Sequence, residues 1–587
     1  MSVLHYNKTR DFSTCFKVTG RKLPGGVEMQ KWIKRLLFFC STFLFIGCSF
    51  HAFSDSNKEE NYNLSLKEAE TTPFGKYPEL ITYKLGKMTG SNNSNMPEND
   101  TYEDNAYTRY LKEKLNIQNE DVFESSLDYD NIVSMSVTAQ DIPDIMVVSD
   151  IKQLQALVEN DMLEDLSDVY KNCASDKIKE IYNSYGDNIL ENVTFDGKLM
   201  AIPETNIENG PSMIWLRKDW MKKLGLRAPQ TLEDVEHIVS KFIEEDPGGN
   251  GRGNTIGLVT DQNLTGEWGY SYEYQTDIIF AAYGAFPKRW VRNSDGEIVY
   301  GSIQSSAKSA LARLHKMYQS GILDKQFLLR SQDNIVDLIC SGKCGSFFAP
   351  WWAPNNPLMD AKKENPEAEW EPYMISTDSD GGISYASQNP SYKFVVVRKG
   401  YEHPEIVVKI ISVLFDYARY QDQSADEIRQ YYKLNVDPTA RPLAINVDFS
   451  DALSRCYENL SDVIHNRMSK DKLEILEKSY YESCENYLNN PDTASLEEWS
   501  AYVSRITACG LIANSDINKV ESVFFGETSS MKQEWWKLQD LEKKAYLKIV
   551  TGEKPLSYFD DFVKEWSEEG GEKITEEVRN KVDKQIK

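Results

Sequence analysis

The spacing of apolar residues predicts short buried strands that alternate with amphipathic helices. Strand-like apolar runs lie at 78–85, 141–148, 199–202, 213–216, 256–259 and 393–398. Helical spacing of apolar residues recurs at 106–115, 232–242, 305–318, 333–339 and 407–415. This alternation is typical of an α/β protein, in which helices cover the faces of a mainly parallel sheet. From residue 420 onward the pattern is mostly helical.

Turn and capping signals are dense in the middle of the chain. Asp196-Gly197 is a turn sequence that precedes a short apolar run. Gly225 stands where a helix C-cap is expected, and Thr231 is a good N-cap for the helix that follows. Asp246-Pro247 ends that second helix and opens a glycine-rich loop.

Ordered motifs in this region resemble those of a known protein family. They are Asp196-Gly197-Lys198 with Ile202-Pro203-Glu204, Arg217-Lys218-Asp219-Trp220 with Leu224-Gly225-Leu226, and Asp246-Pro247 with Asn250-Gly251 and Thr255-Ile256-Gly257. A second set near the C-terminus comprises Tyr546–Leu556, Phe559–Val563, Gly570-Gly571 and Ile574–Val578. Together they resemble the extracellular solute-binding lipoproteins of bacterial ATP-binding-cassette (ABC) sugar importers, the branch that includes alginate-oligosaccharide-binding proteins.

The resemblance implies a two-lobed, periplasmic-binding-protein-like α/β fold with a hinge and a cleft between the lobes. The expected parts are a signal region at 1–47, a polar, lipid-anchored flexible tether at 48–76, the first part of lobe one at 77–205, lobe two at 206–380, a return to lobe one at 381–420, and a mostly helical C-terminal part at 421–587 that packs on the lobes.

Charge limits the classes of partner. The chain has 587 residues and a formal net charge of −25, with 91 acidic and 66 basic side chains. Most of such a surface repels a phosphate backbone, so nucleic-acid binding is not expected. The same charge argues against a strongly anionic sugar, although a local basic patch can override it.

The longest apolar run, Leu36 to Gly47, follows a basic flank and precedes Cys48. It is shorter than the about 20 apolar residues that a membrane-spanning helix needs, and it fits the apolar region of a secretory signal. Leu44-Phe45-Ile46-Gly47-Cys48 resembles a lipobox, whose cysteine is diacylated, although Phe45 stands where the family usually has leucine. The alternatives are a signal peptide with a chance cysteine and a short buried helix. The lipobox places the protein at the outer face of the cell membrane.

The first 28 residues contain no apolar stretch that a signal requires, and Met29 begins a normal basic flank. Met29 is therefore the expected start. Residues 1–47 carry eight basic and two acidic side chains, so their removal changes the net charge from −25 to −31.

Six cysteines remain besides Cys48 after cleavage: Cys173, Cys340, Cys344, Cys456, Cys484 and Cys509. An even number in a secreted chain permits disulfides without requiring them. Cys340 and Cys344 lack paired histidines, so no structural zinc is expected.

A sugar site needs aromatic rings for the C–H faces and polar groups for the hydroxyls. Adjacent tryptophans in a proline-bounded loop cannot both enter one core, so Trp351 and Trp352 are the first candidates; the alternative is that one packs and the other is incidental surface. Core packing is the alternative for the other aromatic candidates, which are Trp290, Trp215, Tyr272 and Tyr274. Glu204 and Asn355 are the polar candidates, from their places at the hinge and beside the tryptophan loop.

The loop from Asp246 to Asn254 resembles a calcium loop of this family. Ligands at the matching spacing would be Asp246, Asn250, the carbonyl of Arg252, and Asn254, with Gly251 at the sixth position. Gly248 offers no side-chain oxygen at position three, and Asn254 replaces the usual aspartate. With one carboxylate instead of three, a weak Ca²⁺ site or a plain helix-capping loop is expected.

No catalytic motif stands out: the chain has no Gly-x-Ser-x-Gly, no His-Glu-x-x-His and no marked carboxylate pair. The resemblance implies a monomeric, non-enzymatic binding protein that captures an oligosaccharide by hinge closure and presents it to the membrane subunits of an ABC permease. The alternatives are a surface glycan-degrading enzyme and a peptide-binding or sensory lipoprotein.

Overall fold

A computed structural model describes residues 61–90, 95–186, 188–266, 273–422, 424–434 and 436–585. Residues from Leu66 onward form one compact unit, and the described residues before it, 61–65, are helical. The signal region, Cys48 and Tyr272 lie outside the described residues.

The first core surrounds a five-stranded sheet. Its strands, in spatial order, are Ile117–Ser125, Ile81–Met88, Ile145–Val148, Phe394–Val397 and Ile202–Pro203. The first three are parallel, and Phe394–Val397 runs antiparallel between its two neighbours. The helices around this sheet are Ala106–Leu115, Tyr129–Ala139, Ile151–Glu159, Ser167–Cys173, Asp176–Asn183, Asn188–Glu191, Ile406–Ser412 with its π-helical extension Val413–Gln421, and Asp426–Lys433.

The second lobe contains an antiparallel sheet of three strands, in the order Ser346–Ala349, Met213–Arg217 and Trp370–Tyr373. Smaller ladders pair Trp290–Arg292 with Ile298–Tyr300 and Ile383–Ala386 with Ile517–Val520, and a hairpin in the first lobe pairs Thr194–Phe195 with Lys198–Leu199. Helices of the second lobe are Lys218–Leu224, Leu232–Glu245, Asp277–Ala281, Ser305–Ser320, Gln332–Cys340 and Leu358–Glu364. Short 3₁₀ turns occupy Gly301–Ile303, Phe327–Leu329, Pro438–Ala440 and Lys470–Lys472.

The C-terminal part is mostly helical, and it divides between the cores. The long helix Met531–Thr551 and the helices Tyr558–Trp566 and Glu572–Gln585, joined by the π-helical turn Ser567–Gly571, pack in the second core. An intervening layer covers the three-stranded sheet and comprises Ala452–Ile464, Ile475–Asn489, Leu496–Tyr502, the π-helical turn Val503–Ala508, and Cys509–Ala513. None of the described helices combines the length and apolar character needed to cross a membrane.

Two predicted caps are confirmed. The Thr231 hydroxyl accepts the backbone N–H of Asp234 at 3.2 Å, and the Asp234 carboxylate accepts the backbone N–H of Thr231. Gly225 ends the preceding helix with φ of 66°, a left-handed conformation that glycine adopts without steric cost.

The structure differs from the sequence prediction in three places. Ile117–Ser125 is a strand that the apolar pattern does not reveal, because it is an edge strand with alternating exposure. Residues 256–259 form only isolated bridges, at Ile256 and Leu258. Ile383 still packs in the second core, so the chain rejoins the first sheet at Phe394 rather than at 381.

The tether predicted for 48–76 ends earlier in the structure. Residues 61–71 are helical, and Ala69 and Tyr77 are buried. The buried Lys409 ammonium donates hydrogen bonds to the carbonyls of Thr72 and Gly75, both at 2.8 Å. A lysine from the first core thus binds carbonyls just after the end of this helix, which orders the segment. The six described cysteines, from Cys173 to Cys509, are all free thiols.

Candidate functional site

Chain segments that connect the first core to the rest of the protein lie side by side between Ile202 and Met213, between Ile383 and Phe394, and between Phe449 and Leu453. Backbone hydrogen bonds tie them together. Thr205 N–H donates to the Asn446 carbonyl at 2.8 Å, Asn206 N–H to Pro390 at 2.8 Å, and Glu208 N–H to Ser450 at 3.0 Å. Connecting segments that lie side by side allow two rigid lobes to rotate about one short region, which is the geometry of a hinge.

Glu204 lies on the first connecting segment and is fully buried. Its Oε2 is 3.6 Å from the Lys393 ammonium on the second segment, while its Oε1 has no hydrogen-bond partner. Burial raises the pKa of this carboxyl, although Lys393 opposes the shift. The predicted polar residue is therefore at the hinge, with an acceptor atom left unsatisfied.

A pocket opens beside these segments in the second lobe. Its walls come from the first connection, from the helix Asp277–Ala281 with the loop after it, and from the strand Ile383–Ala386 at the start of the second connection. The lining includes Pro211, Phe286, Asp277, Arg289, Tyr385 and Gln388. Apolar walls combined with an acid, a base, a phenol and an amide are what a polyhydroxylated ligand requires.

The charges around this pocket are paired. The Glu208 carboxylate accepts a hydrogen bond from the Tyr385 hydroxyl at 3.1 Å and lies 3.8 Å from the Lys519 ammonium. Burial raises the pKa of Glu208 to about 7. Burial also raises the pKa of Asp277, whose Oδ2 accepts the backbone N–H of Gly266 at 2.9 Å, with Arg289 opposing the shift.

The tryptophan loop is placed next to the hinge. Trp351 is 6% exposed, and its indole N–H donates to the Asn209 side chain on the first connecting segment at 3.2 Å. Trp352 is half-buried, so part of its ring is accessible. Asn355 is exposed, and its side-chain oxygen accepts a hydrogen bond from the Ser500 hydroxyl.

Three other aromatic candidates are core residues. Trp215 is fully buried, and its indole N–H donates to the carbonyls of Ala349 and Pro350 at 3.3 Å each. Trp290 is 4% exposed and packs against Tyr300 and Trp535. Tyr274 is also buried, against Phe347, although its hydroxyl has no partner. These positions correct the prediction that the rings of Trp215, Trp290 and Tyr274 line the site.

The residues of the predicted calcium loop do not fit a calcium ion. Both Asp246 oxygens accept backbone N–H groups, from Asn250 at 3.0 Å and from Gly251 at 2.8 Å, and Oδ1 also accepts the Thr255 hydroxyl. The Asn250 amide nitrogen donates to the Gly342 carbonyl at 3.0 Å, and Asn254 donates to the Asn250 carbonyl. Arg252 is exposed. Among the described residues no group of three or more His, Cys, Asp or Glu is placed to hold a metal ion. The loop is closed by its own hydrogen bonds.

Ion pairs join the lobes away from the hinge. Lys152, at the start of the first-lobe helix Ile151–Glu159, lies 3.0 Å from Glu527 of the second lobe. Glu159, at the end of the same helix, lies 3.2 Å from Lys532. The lobes therefore contact each other through both ends of one helix.

Several residues of this region are absent from the sequence prediction: Asn209, Tyr385, Gln388, Arg289 and Arg505. Asn209 follows the predicted hinge residue Glu204 closely in sequence, and Gln388 lies near residue 381, where the return to lobe one is expected. Their sequence positions therefore indicate that both lie near the hinge. The positions of Arg289 and Arg505 depend on long-range packing that local patterns do not encode.

Comparison with known proteins is consistent with this geometry. The profile of the family described as bacterial extracellular solute-binding protein matches residues 106–431. The polygalacturonan/rhamnogalacturonan-binding protein YtcQ of Bacillus subtilis (strain 168) is 22% identical over 454 residues, which cover 76% of this chain and 81% of YtcQ. Lipoprotein LipO of the same organism is 29% identical over 159 residues, which cover 27% of this chain and 30% of LipO.

A solved structure confirms the two-lobed α/β fold. It is that of an EF-hand mutant of the ABC-transporter substrate-binding protein FusA of S. pneumoniae in complex with fructo-nystose, with a TM-score of 0.55 and 15% identity over 86% of this chain and 99% of that chain. The family match spans more than half of the 587 residues. The chain belongs to the bacterial extracellular solute-binding proteins.

Proposed function

We propose that this protein captures an oligosaccharide outside the cell and delivers it, chemically unchanged, to the permease of an ABC importer. The observation that carries the proposal is the pocket beside the hinge, where apolar walls adjoin the Tyr385 hydroxyl, the Gln388 amide and paired charges. The names of YtcQ and FusA, a polysaccharide-binding protein and a transporter substrate-binding protein, support it.

Hinge closure supplies the capture step. A ligand that touches both lobes binds the closed form more tightly than the open form, and it shifts the population by that difference in affinity. The pocket stands at the connecting segments, where a ligand can bind while the lobes rotate about it. Closed and open forms would then present different surfaces to a permease.

The first test is a thermal-shift screen of the chain from Ser49 onward against neutral and uronic oligosaccharides, with the recovered sugar analysed by chromatography. A true ligand raises the melting temperature because it binds only the folded state. Recovery of intact sugar supports a binding protein, whereas cleavage would establish the glycan-degrading alternative. Binding of peptides alone would favour the sensory alternative.

A substitution at Tyr385 tests whether the sugar binds in this pocket. Tyr385→Phe removes a hydroxyl at the pocket and should weaken binding of the sugar that the screen identifies by about tenfold. The matched control is Tyr373→Phe, which removes a hydroxyl that bonds Glu371 at 2.6 Å on a strand of the second sheet. Equal affinities of the two variants would remove Tyr385 from the site.

We also propose that Cys48 carries the lipid that holds the protein at the outer face of the membrane and that the protein is a monomer. The motif around Cys48 and the name of the relative LipO support the anchor. Cys48→Ser should move the protein from the membrane fraction to the medium and abolish labelling by palmitate. Light scattering of the soluble form tests the monomer.

A further inference from the structure

Arg505 is a half-buried arginine that does not line the pocket beside the hinge. It lies in the π-helical turn Val503–Ala508, between the helices Leu496–Tyr502 and Cys509–Ala513. A π-helical turn contains one more residue than an α-helical turn, and such turns are frequent at functional sites. The turn places Arg505 against the tryptophan loop.

The guanidinium of Arg505 is held between two aromatic rings. It lies 4.3 Å from the ring centre of Trp351 and 4.1 Å from that of Tyr480. One nitrogen donates a hydrogen bond to the Tyr480 hydroxyl at 2.9 Å. Trp351 in turn bonds Asn209 of the first connecting segment, so the stack extends to the hinge. Arg505 and Tyr480 are half-buried and keep part of their surface accessible.

Within the described residues, Arg505 forms no ion pair with a carboxylate. Its neighbours include the thiols of Cys484 and Cys509, and burial raises the pKa of each to about 12, so neither is an anion at neutral pH. The buried arginine of another π-helical segment, Arg419 of Val413–Gln421, pairs instead with Asp448 and Glu474. A guanidinium has five N–H donors, and a partly buried charge is normally paired.

We propose that Arg505 binds the carboxylate of an acidic sugar, and therefore that the ligand contains uronic acid. The inference rests on the proposed function and names its substrate class. The two rings fix the plane of the guanidinium, and a fixed plane favours paired N–H bonds to a carboxylate. The net charge of −25 opposes an anion only weakly from distant parts of the surface, because salt screens charges that lie farther away than about 8 Å.

The test compares sugars that differ at the carboxyl group, which is charged, esterified or replaced by a neutral hydroxymethyl group. Calorimetric titrations use oligomers of galacturonate and of mannuronate, their methyl esters, and neutral oligomers of galactose and mannose of the same length. The wild type should bind at least one acid about tenfold or more tightly than its own ester. Arg505→Gln should remove that preference, and Arg505→Lys should restore only part of it, because lysine keeps the charge without the paired donors.

The matched control is Arg455→Gln. Arg455 also stacks on a ring, 4.1 Å from the centre of Phe449, but it pairs with Asp451 at 2.6 Å. The Arg455→Gln variant should keep the wild-type preference for the acid over its methyl ester. If Arg505→Gln fails to fold, the comparison of acid and ester on the wild type, together with Arg505→Lys, decides the matter.

Outcomes separate the two proposals. Equal binding of acid and ester, tighter binding of neutral sugars, or a preference that survives in a folded Arg505→Gln overturns the role of Arg505 and leaves oligosaccharide capture standing. Absence of binding by every oligosaccharide overturns both.

Discussion

Lys152 of the first lobe supplies the cation for Glu527 of the second lobe. The Glu527 side chain is 7% exposed, its Oε1 lies 3.0 Å from the Lys152 ammonium, and its Oε2 has no hydrogen-bond partner. Opening of the lobes would separate this pair and leave a largely buried carboxylate without its cation. The pair therefore favours the lobe arrangement of this structure, which we take as the closed form, over one in which the lobes have moved apart.

Breaking this pair should open the sugar-free protein. In Lys152→Met the closed form loses about 1 kcal/mol, a modest value because Lys152 itself is exposed and screened. Small-angle X-ray scattering without sugar should show a larger radius of gyration than the wild type at low salt. Lys532→Met is the control, since Glu159 and Lys532 are both exposed and their pair contributes less. Identical scattering of Lys152→Met and wild type would mean that the pair does not bias the lobes.

Glu208 should make stability depend on pH. Its folded-state pKa of about 7 is above the unfolded value of 4.5, so between these values the folded protein holds a proton that the unfolded chain has lost. The contribution of Glu208 to stability therefore falls as pH rises from 4.5 to 7. Urea unfolding at pH 5 and pH 8 should show a smaller loss for Glu208→Gln than for the wild type. The exposed Glu497→Gln should behave as the wild type, and a Glu208→Gln profile that matched both would contradict the account.

Calcium should leave the melting temperature unchanged. The Asp246 oxygens are used by Asn250, Gly251 and Thr255, so the loop is complete without an ion. Differential scanning calorimetry with EDTA and with calcium should give the same curve, whereas Asp246→Ala should lower the melting temperature in both buffers. A rise with calcium that Asp246→Ala abolishes would establish a metal site here.

The aromatic residues should separate into core and ligand groups. Trp290→Ala should reduce the free energy of unfolding by about 3–5 kcal/mol, because it removes a buried ring packed against Tyr300 and Trp535. Its effect on sugar affinity should be small at temperatures where it is folded. Trp352→Ala should weaken sugar binding and change the free energy of unfolding little, because Trp352 is half-buried beside the hinge. Affinity loss for Trp290→Ala alone would reverse this assignment.

The sequence predicts the parts of this fold that local chemistry determines. The caps at Gly225 and Thr231 depend on neighbouring residues only, and both are confirmed. The residues of the candidate site are harder to predict from the local sequence. Trp215 and Trp290 are aromatic residues of the kind that bind sugars, yet packing in the core buries both of them. Arg505 is far in sequence from Trp351, so only the folded chain reveals their stacking.

The central claim is that an oligosaccharide is captured by closure of two lobes about the hinge at Glu204 and Lys393. Small-angle X-ray scattering with and without the sugar found by the screen, with recovery of the sugar afterwards, tests it most directly. The account predicts a smaller radius of gyration at saturation and intact sugar. Saturable binding with no change in the radius of gyration, or recovery of shortened sugar, would contradict it.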